Sequence, residues 1–174
     1  MAPLSEADLG QLFASFSTSA FRFEIRERYV STVGREPFRK YLAGETDDYA
    51  WHRGWMEMLS RDIAAGKTWQ RIRIVSVPLS DYNRYSLGPG RLSVQAGEAI
   101  RYLTREAAKA LGLEPLDAWL FDDRLLVHLN FNDDDTFRAA EVVDDQAVLA
   151  RHLAWRDLAW QHALTLEDFA AAFS

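Results

Sequence analysis

The chain has 174 residues, a net charge of −6, 48% apolar residues and no cysteine. These values indicate one globular domain over residues 1–174, and they exclude disulfides, thiolate catalysis and cysteine-bound metals. An acidic chain gains little from counterion release on a polyanion, so direct nucleic-acid binding is not expected. The sequence shows neither a long apolar run nor a basic, apolar leader, so we expect a cytoplasmic protein that binds no membrane.

The first half of the chain is predicted to alternate helices with strands. Ser5 is a suitable N-cap for a short amphipathic helix, and residues 20–30 then alternate apolar with polar side chains, as a half-buried strand does. Residues 34–44 indicate one or two helical turns between two glycines. A longer amphipathic helix is predicted over residues 47–67, and it leads directly into a β-branched strand over residues 68–79.

Residues 80–98 carry the least regular pattern in the chain. Gly-Pro-Gly at residues 88–90 is expected to break any helix that Ser80 or Asp81 begins. Long irregular connections in compact domains are often functional, and this one follows the carboxyl end of a predicted strand. By analogy with open α/β sheets, we expect a ligand to bind near it. The residues of interest there are Asp81, Tyr82, Arg84 and Tyr85.

The second half of the chain is predicted to form a β-meander between helices. A strand over residues 98–105 precedes a short helix, and two helices close the chain after Asp144. Between them lie three short strands that are joined by aspartate-rich turns, over residues 117–123, 124–131 and 136–143. The predicted fold class is therefore α+β, as a single domain with a mixed sheet of about six strands flanked by helices.

Common catalytic and cofactor motifs are missing from the sequence. It contains no GxSxG, HExxH, GxGxxG or GxxxxGK[ST] pattern, which argues against serine hydrolases, zinc peptidases and the usual nucleotide-binding loops. The acidic clusters at residues 122–123, 133–135 and 144–145 are interpreted as turn or helix-cap aspartates, because a calcium loop needs spaced ligands and a glycine. His128 is interpreted as a sheet residue. No metal and no cofactor is expected.

Arginines are concentrated on the predicted strand faces and around the irregular segment. The six of interest are Arg22, Arg26, Arg71, Arg73, Arg84 and Arg101. Two interpretations stay open, namely an anion pocket built from forked guanidinium donors or a solvated face with ion pairs between strands. Surface ion pairs are the commoner arrangement of the two.

Several segments together resemble a known family. They are AFRFEIRERY, REPFRKYLAG, GKTWQRIRIVSVPLSDYNRYSL, AGEAIRYL, WLFDDRLLVHLNF and RDLAW. Over nearly the whole chain, the sequence resembles an actinobacterial family of small proteins known only as a domain of unknown function, DUF6879. Members of that family are often encoded near helix-turn-helix regulators. The resemblance therefore implies a regulatory or partner role, and it brings no catalytic residue with it.

A more distant resemblance concerns the order of elements, which is similar to one half of a phospholipase-D-like fold. That superfamily carries the motif His-x-Lys-x4-Asp, and its aspartate would fall near Asp122. Counting back from Asp122 puts Asp117 at the lysine position and Pro115 at the histidine position, and counting from Asp123 fails as well. The resemblance implies a phospholipase-D-like half without the catalytic motif, like the inactive versions that some transcription regulators use as sensor domains.

Two functional hypotheses follow from these patterns. The first, which we favour, is a non-enzymatic regulatory or interaction module that binds a small anionic ligand or a helix-turn-helix partner, with a homodimer left open. Its candidate ligand-binding residues are Arg73, Asp81, Tyr82, Arg84, Arg101 and Asp122.

The second hypothesis is a divergent hydrolase or phosphotransferase. Asp81, Asp122 or His128 would serve as its acid or base, and Arg73 or Arg101 would hold an anion. A single cavity that both arginines shared with Asp81 and Asp122 would favour a small ligand over a protein partner.

Overall fold

Seven strands form one mixed β-sheet in the computed structural model, which describes residues 3–173, so residues 1, 2 and 174 of the predicted domain lie outside the described residues. In chain order the strands are β1 (Ser19–Glu24), β2 (Thr68–Val75), β3 (Ala99–Thr104), β4 (Ala118–Phe121), β5 (Leu125–Phe131), β6 (Phe137–Val143) and β7 (Leu164–Thr165). Their order across the sheet is β6-β5-β4-β1-β2-β3-β7. The pairs β1–β2 and β2–β3 are parallel, and the other pairs are antiparallel.

Helices cover both faces of this sheet. Those in the described residues are α1 (Glu6–Ser15), α2 (Arg35–Leu42), α3 (Arg53–Ala64), α4 (Asp81–Gln95), α5 (Arg105–Ala110), α6 (Gln146–His162) and α7 (Leu166–Phe173). Helices α5 and α6 pack on one face, and α1, α3, α4 and α7 pack on the other. None of these helices is both long enough and apolar enough to cross a membrane.

The predicted fold class, a single α+β domain with a mixed sheet flanked by helices, is confirmed. The meander of β4, β5 and β6 also forms as predicted. The strand beyond the predicted six is β7, which has two residues and pairs with β3. Two residues are too few to show an alternating pattern, so the sequence gives no sign of this strand.

Successive side chains of β1 and β2 point to opposite faces of the sheet. Phe21 and Phe23 of β1 join Ile72 and Ile74 of β2 in the core beneath α6. Each such side chain contributes about 1.5–3 kcal/mol when it is fully buried. The residues between them face the opposite side of the sheet, which α3 and α4 cover, and that side carries the candidate site.

The prediction that residues 80–98 are irregular is wrong, because α4 runs continuously through Gly-Pro-Gly. Ser80 caps the helix as expected, and its side chain accepts a hydrogen bond from the backbone N–H of Asn83 at 3.2 Å. Pro89 lies inside the helix and removes one backbone donor, at a local cost of about 3 kcal/mol. The packing of α4 against the sheet and α7 outweighs that cost.

The two glycines beside Pro89 are explained by close packing. A Cβ at Gly88 would lie 2.5 Å from the hydroxyl oxygen of Tyr49, and one at Gly90 would lie 2.9 Å from Cδ1 of Leu166. Both glycines therefore let a large side chain approach the helix backbone directly. The low helix propensity of this stretch can be recognised from the sequence. The packing that compensates for it cannot, because it involves residues far away in the chain, such as Tyr49 and Leu166.

Candidate functional site

A cavity of about 190 Å³ lies between the sheet and helix α4, and we refer to it as the inner cavity. Its floor is formed near the carboxyl ends of β1, β2 and β3, by Glu24, Arg73 and Tyr102 among others. Its remaining walls come from α4 and from the connections between β1 and α3. A concave space with a few convergent polar groups and aromatic walls is typical of a ligand-binding site.

The charged floor of the inner cavity follows from the alternation of β1 and β2. Arg22 and Glu24 alternate with the phenylalanines of β1, as Arg71 and Arg73 alternate with the isoleucines of β2. Parallel pairing places Arg22 beside Arg71 and Glu24 beside Arg73, and all four side chains lie on the same face of the sheet. The side chains of Arg22 and Arg73 are only 5% and 6% exposed. For the buried arginines of β1 and β2, the interpretation as a solvated strand face is therefore wrong.

Three arginines and three carboxylates form a buried ion-pair network, which we call the Glu24 network. Its members are Arg22, Glu24, Arg71, Arg73, Glu98 and Asp117. Glu24 lies between two arginines, with Oε1 3.0 Å from Nη1 of Arg71 and Oε2 3.3 Å from Nη1 of Arg73. Arg71 also donates from Nε to Glu98 at 2.8 Å, and Arg22 donates from Nη2 to Asp117 at 2.9 Å. The network balances its own charges, which buried ions require.

Glu24 stays ionised in this network. Burial raises its pKa, but the positive charges of Arg71, Arg73 and Arg22 outweigh burial and lower the pKa to about 2. At neutral pH, Glu24 therefore presents a fixed negative charge and does not act as a proton donor.

Two atoms of the Glu24 network and one phenol have no hydrogen-bond partner within residues 3–173. They are Glu24 Oε2, Arg73 Nε and the hydroxyl oxygen of Tyr85, and all three residues line the inner cavity. The ion-pair contact of Glu24 Oε2 with Arg73 does not meet hydrogen-bond geometry. A buried polar group without a partner costs about 1–3 kcal/mol, so these atoms are suited to donate to and accept from a bound molecule.

Aromatic side chains form much of the wall of the inner cavity. They are Tyr29, Trp51, Tyr82, Tyr85 and Tyr102. The guanidinium of Arg73 lies 5.9 Å from the ring centres of both Tyr29 and Tyr82. Burial raises the pKa of Tyr82 and of Tyr102, so these phenols stay protonated and act as neutral hydrogen-bonding groups.

The histidine of the inner cavity is also neutral. His52 Nε2 lies 3.0 Å from the hydroxyl oxygen of Ser93. Burial and the nearby charge of Arg71 lower the pKa of His52. The cavity thus combines fixed, balanced charges with neutral polar and aromatic groups, which suits recognition of a polar ligand more than proton transfer.

Only two of the six predicted ligand-binding residues line the inner cavity, namely Arg73 and Tyr82. Asp81 and Arg84 form an exposed ion pair on the first turn of α4. Arg101 lies on the opposite face of the sheet, where it donates to the backbone carbonyl of Trp160 in α6 at 2.6 Å. The single cavity that would have joined Arg73, Arg101 and the aspartates does not form. Arg101 is in register with Ile72, the residue before Arg73 on β2, and so its side chain points to the opposite face from Arg73.

Asp122, the sixth predicted residue, lies at the other end of β1 from Glu24. Its Oδ1 accepts hydrogen bonds from the backbone N–H groups of Thr18 at 2.6 Å and Ser19 at 3.1 Å, and both carboxylate oxygens accept from Ser17. Burial raises the pKa of Asp122, but these hydrogen bonds outweigh burial and lower the pKa to about 2. The carboxylate therefore anchors the chain between α1 and β1.

His128 faces α6, on the side of the sheet away from the inner cavity. Its Nε2 lies 3.3 Å from Nε2 of His152, whose Nδ1 lies 2.9 Å from the carbonyl oxygen of Val148. Because that carbonyl can only accept, His152 carries its proton on Nδ1 and accepts from His128. His128 is thus a sheet residue that packs against a helix, as its position in the alternating pattern indicates.

Sequence reasoning missed most of the residues that line the inner cavity. Glu24 was visible only as a charge between two strand arginines, and Tyr85 only as part of the irregular segment. Trp51 and His52 are neighbours just before α3, Tyr102 lies on β3, and the three residues share no motif. The one available signal was the coincidence of charged residues at matching positions in β1 and β2, and using it required the parallel register.

A comparison with protein families gives a match. The family described as "Domain of unknown function (DUF6879)" matches residues 7–171, which include all residues of the inner cavity and of the Glu24 network. No curated protein matches the chain.

Proposed function

The chain belongs to the DUF6879 family, and from that premise we propose that it is a non-enzymatic regulatory or interaction module. It would bind a small ligand in the inner cavity. The observation that carries this proposal is the pair of buried groups without partners in residues 3–173, the Arg73 Nε donor and the Glu24 Oε2 acceptor. A molecule that satisfied both would gain the free energy that their isolation costs, about 1–3 kcal/mol each.

The ligand that suits these groups carries a hydrogen-bond acceptor and a donor side by side on a planar ring. The two protein groups belong to neighbouring side chains, since Arg73 Nη1 lies 3.3 Å from Glu24 Oε2. The tyrosines of the wall offer flat faces against which such a ring packs favourably. Because the Glu24 network already balances its charges, an anionic group on the ligand would be held outside it.

Several parts of the hypothesis rest on the resemblances alone and stay predictions. They are the helix-turn-helix partner, the actinobacterial source and the phospholipase-D-like half without its catalytic motif. The homodimer also stays a prediction. A phospholipase-D-like half that lacks catalytic residues would be consistent with the regulatory, ligand-sensing role that we propose.

The divergent hydrolase or phosphotransferase has no supporting observation. Its proposed acids and bases are Asp81, Asp122 and His128, and its anion-holding residues are Arg73 and Arg101. Asp122 is engaged by backbone N–H groups, and His128 and Arg101 lie on the face of the sheet opposite Arg73. Turnover of a phosphodiester or an ester that is lost in Asp122→Asn would revive this alternative.

The test is a ligand screen on the purified chain. A panel of nucleobases, nucleosides, nucleotides and aromatic amino acids is measured by thermal shift and then by calorimetry. We expect at least one class to raise the melting temperature and to lose its affinity in Arg73→Met, because that variant removes the Nε donor. Circular dichroism verifies that the variant is folded.

A matched control comes from the same part of the chain. Arg84→Gln removes an arginine that was also predicted to bind ligand but is exposed and outside the inner cavity. Binding should survive in this variant. The proposal fails if no member of the panel binds, or if Arg73→Met and Arg84→Gln weaken binding equally.

A further inference from the structure

A second cavity, which we call the outer cavity, adjoins the inner one. It measures about 310 Å³ and shares Tyr29, Gly34 and Tyr82 with the inner cavity. Its remaining wall includes Arg28 and Arg35 from the segment before α2 and its first turn. A molecule bound in the inner cavity therefore has an adjacent space into which a substituent can extend.

The two cavities differ in how their arginines are paired. Of the Glu24 network, Glu24, Arg71 and Arg73 line the inner cavity, and both of these arginines are paired with Glu24. Arg28 and Arg35 line the outer cavity. Asp135 accepts hydrogen bonds from both Arg26 and Arg28, so one carboxylate serves two guanidinium groups. Within residues 3–173, Arg35 has no carboxylate within ion-pair distance, and it is exposed. Asp134 also lines the outer cavity, so the charged residues of its lining are two arginines and one aspartate.

The wall that the two cavities share is formed by Tyr29, Gly34 and Tyr82. The space beside the Gly34 Cα is taken by Ser31, whose hydroxyl oxygen would lie 2.8 Å from a Cβ there, so a linking group would have to pass along the tyrosine rings. The ring of Tyr82 contributes to both cavities, and sugar rings pack well on such aromatic faces.

We propose that the ligand is bipartite, with a planar heterocycle in the inner cavity and a phosphate held by Arg28 and Arg35 in the outer cavity. This inference rests on the proposed function and specifies its ligand class as a nucleoside monophosphate. The heterocycle supplies the acceptor for Arg73 Nε and the donor for Glu24 Oε2, as nucleobase edges do. The phosphate receives charge-assisted hydrogen bonds from the arginines, whose forked donors match its oxygens.

The experiment compares matched pairs of compounds by calorimetry. The pairs are adenosine with adenosine 5′-monophosphate, guanosine with guanosine 5′-monophosphate, and uridine with uridine 5′-monophosphate, and inorganic phosphate is measured alone. In at least one pair we expect the monophosphate to bind about tenfold tighter or more than its nucleoside, with an advantage that falls as salt rises. Inorganic phosphate should bind far more weakly than that monophosphate.

Two variants assign the effect to the outer cavity. Arg35→Gln should bring the ratio of the two affinities close to one. Arg39→Gln, also an exposed arginine of α2 but outside both cavities, should preserve the ratio. Because Arg35 makes no ion pair among the described residues, its replacement is not expected to unfold the chain.

The possible outcomes separate this inference from the proposed function. Equal binding of nucleoside and monophosphate, or a ratio that Arg35→Gln preserves, overturns the bipartite ligand and leaves the inner cavity as a binding site. If an aromatic amino acid binds and no nucleoside or nucleotide binds, the bipartite ligand is also overturned and the inner cavity remains a binding site. If nothing in the panel binds, the proposed function fails and this inference fails with it.

Discussion

Asp122 illustrates how a residue's surroundings decide its role. It follows β4, and it was a candidate for chemistry because the suggested phospholipase-D-like resemblance would place the end of that site near it. In the structure it adopts a left-handed backbone conformation with φ of 54° and accepts from the backbone N–H groups of Ser17, Thr18 and Ser19. Three donors on one carboxylate leave it little capacity to bind a ligand. Its function in the chain is to hold the start of β1 against the β4–β5 turn.

The first prediction concerns this anchor. Asp122→Asn should lower the free energy of unfolding by about 1–3 kcal/mol, because an amide nitrogen cannot accept the hydrogen bonds that it replaces. Urea denaturation at pH 7 measures the loss. Asp123→Asn is the control, since Asp123 has the same backbone conformation but is 53% exposed. Equal losses in both variants would contradict the anchoring role.

The same anchor predicts a pH effect. The pKa of Asp122 is lowered from 3.8 to about 2, so its stabilisation is complete above the ordinary value and is lost as the pH falls from about 4 to 2. The stability curve of Asp122→Asn should therefore be flatter than that of the parent chain in this range. Denaturant titrations at several pH values give the comparison.

Among the elements, α4 departs most from its local propensity. Its central Gly-Pro-Gly is unfavourable in any isolated helix, yet the glycines are what allow Tyr49 and Leu166 to reach its backbone. We predict that Gly88→Ala destabilises the chain by about 1 kcal/mol or more, although alanine is the better helix former, because the Tyr49 ring must move. Gly10→Ala in α1 is the control, and it should stabilise by roughly 0.5–1 kcal/mol since nothing lies within 4 Å of its new Cβ. Thermal or urea unfolding of both variants distinguishes them.

The contact between β5 and α6 predicts a second pH effect at the scale of elements. Burial and the charge of His152 lower the pKa of His128 below 6.5 despite Glu141, and burial also lowers that of His152. As the pH falls below about 6.5, the unfolded chain therefore binds more protons than the folded chain. The free energy of unfolding should decrease in that range. His152→Phe should reduce this decrease between pH 7 and 5. His162→Gln, which replaces an exposed histidine at the end of α6, should leave it unchanged.

At the scale of the whole molecule, the Glu24 network joins segments that are far apart in the chain. It connects β1 and β2 with Glu98 just before β3 and with Asp117 just before β4. Arg73 extends it to α4, where Nη2 donates to Oδ1 of Asn83 at 2.9 Å. Glu24 is its centre, because three arginines lie within ion-pair distance of its carboxylate.

We predict that Glu24→Gln lowers the free energy of unfolding by about 3 kcal/mol or more, because the buried arginines lose the carboxylate that balances them. The denaturation midpoint in urea measures the loss. Glu36→Gln replaces an exposed carboxylate that also pairs with an arginine, and its midpoint should not change measurably. A Glu24→Gln chain as stable as the parent would show that the network does not support the fold.

The sequence by itself determined most of the elements and their type. Alternation of apolar and polar residues, caps such as Ser5 and turn aspartates act over a few residues, so they can be read from the chain directly. The missing catalytic motifs are equally local.

Only the tertiary structure decided that Arg22 and Arg73 are buried, that Arg101 faces the other side of the sheet and that α4 continues through Pro89. The physical reason is that register, burial and the compensation of a poor helix depend on partners many residues away. The residues that line the inner cavity therefore have no common pattern in the sequence, and the fold alone brings them together.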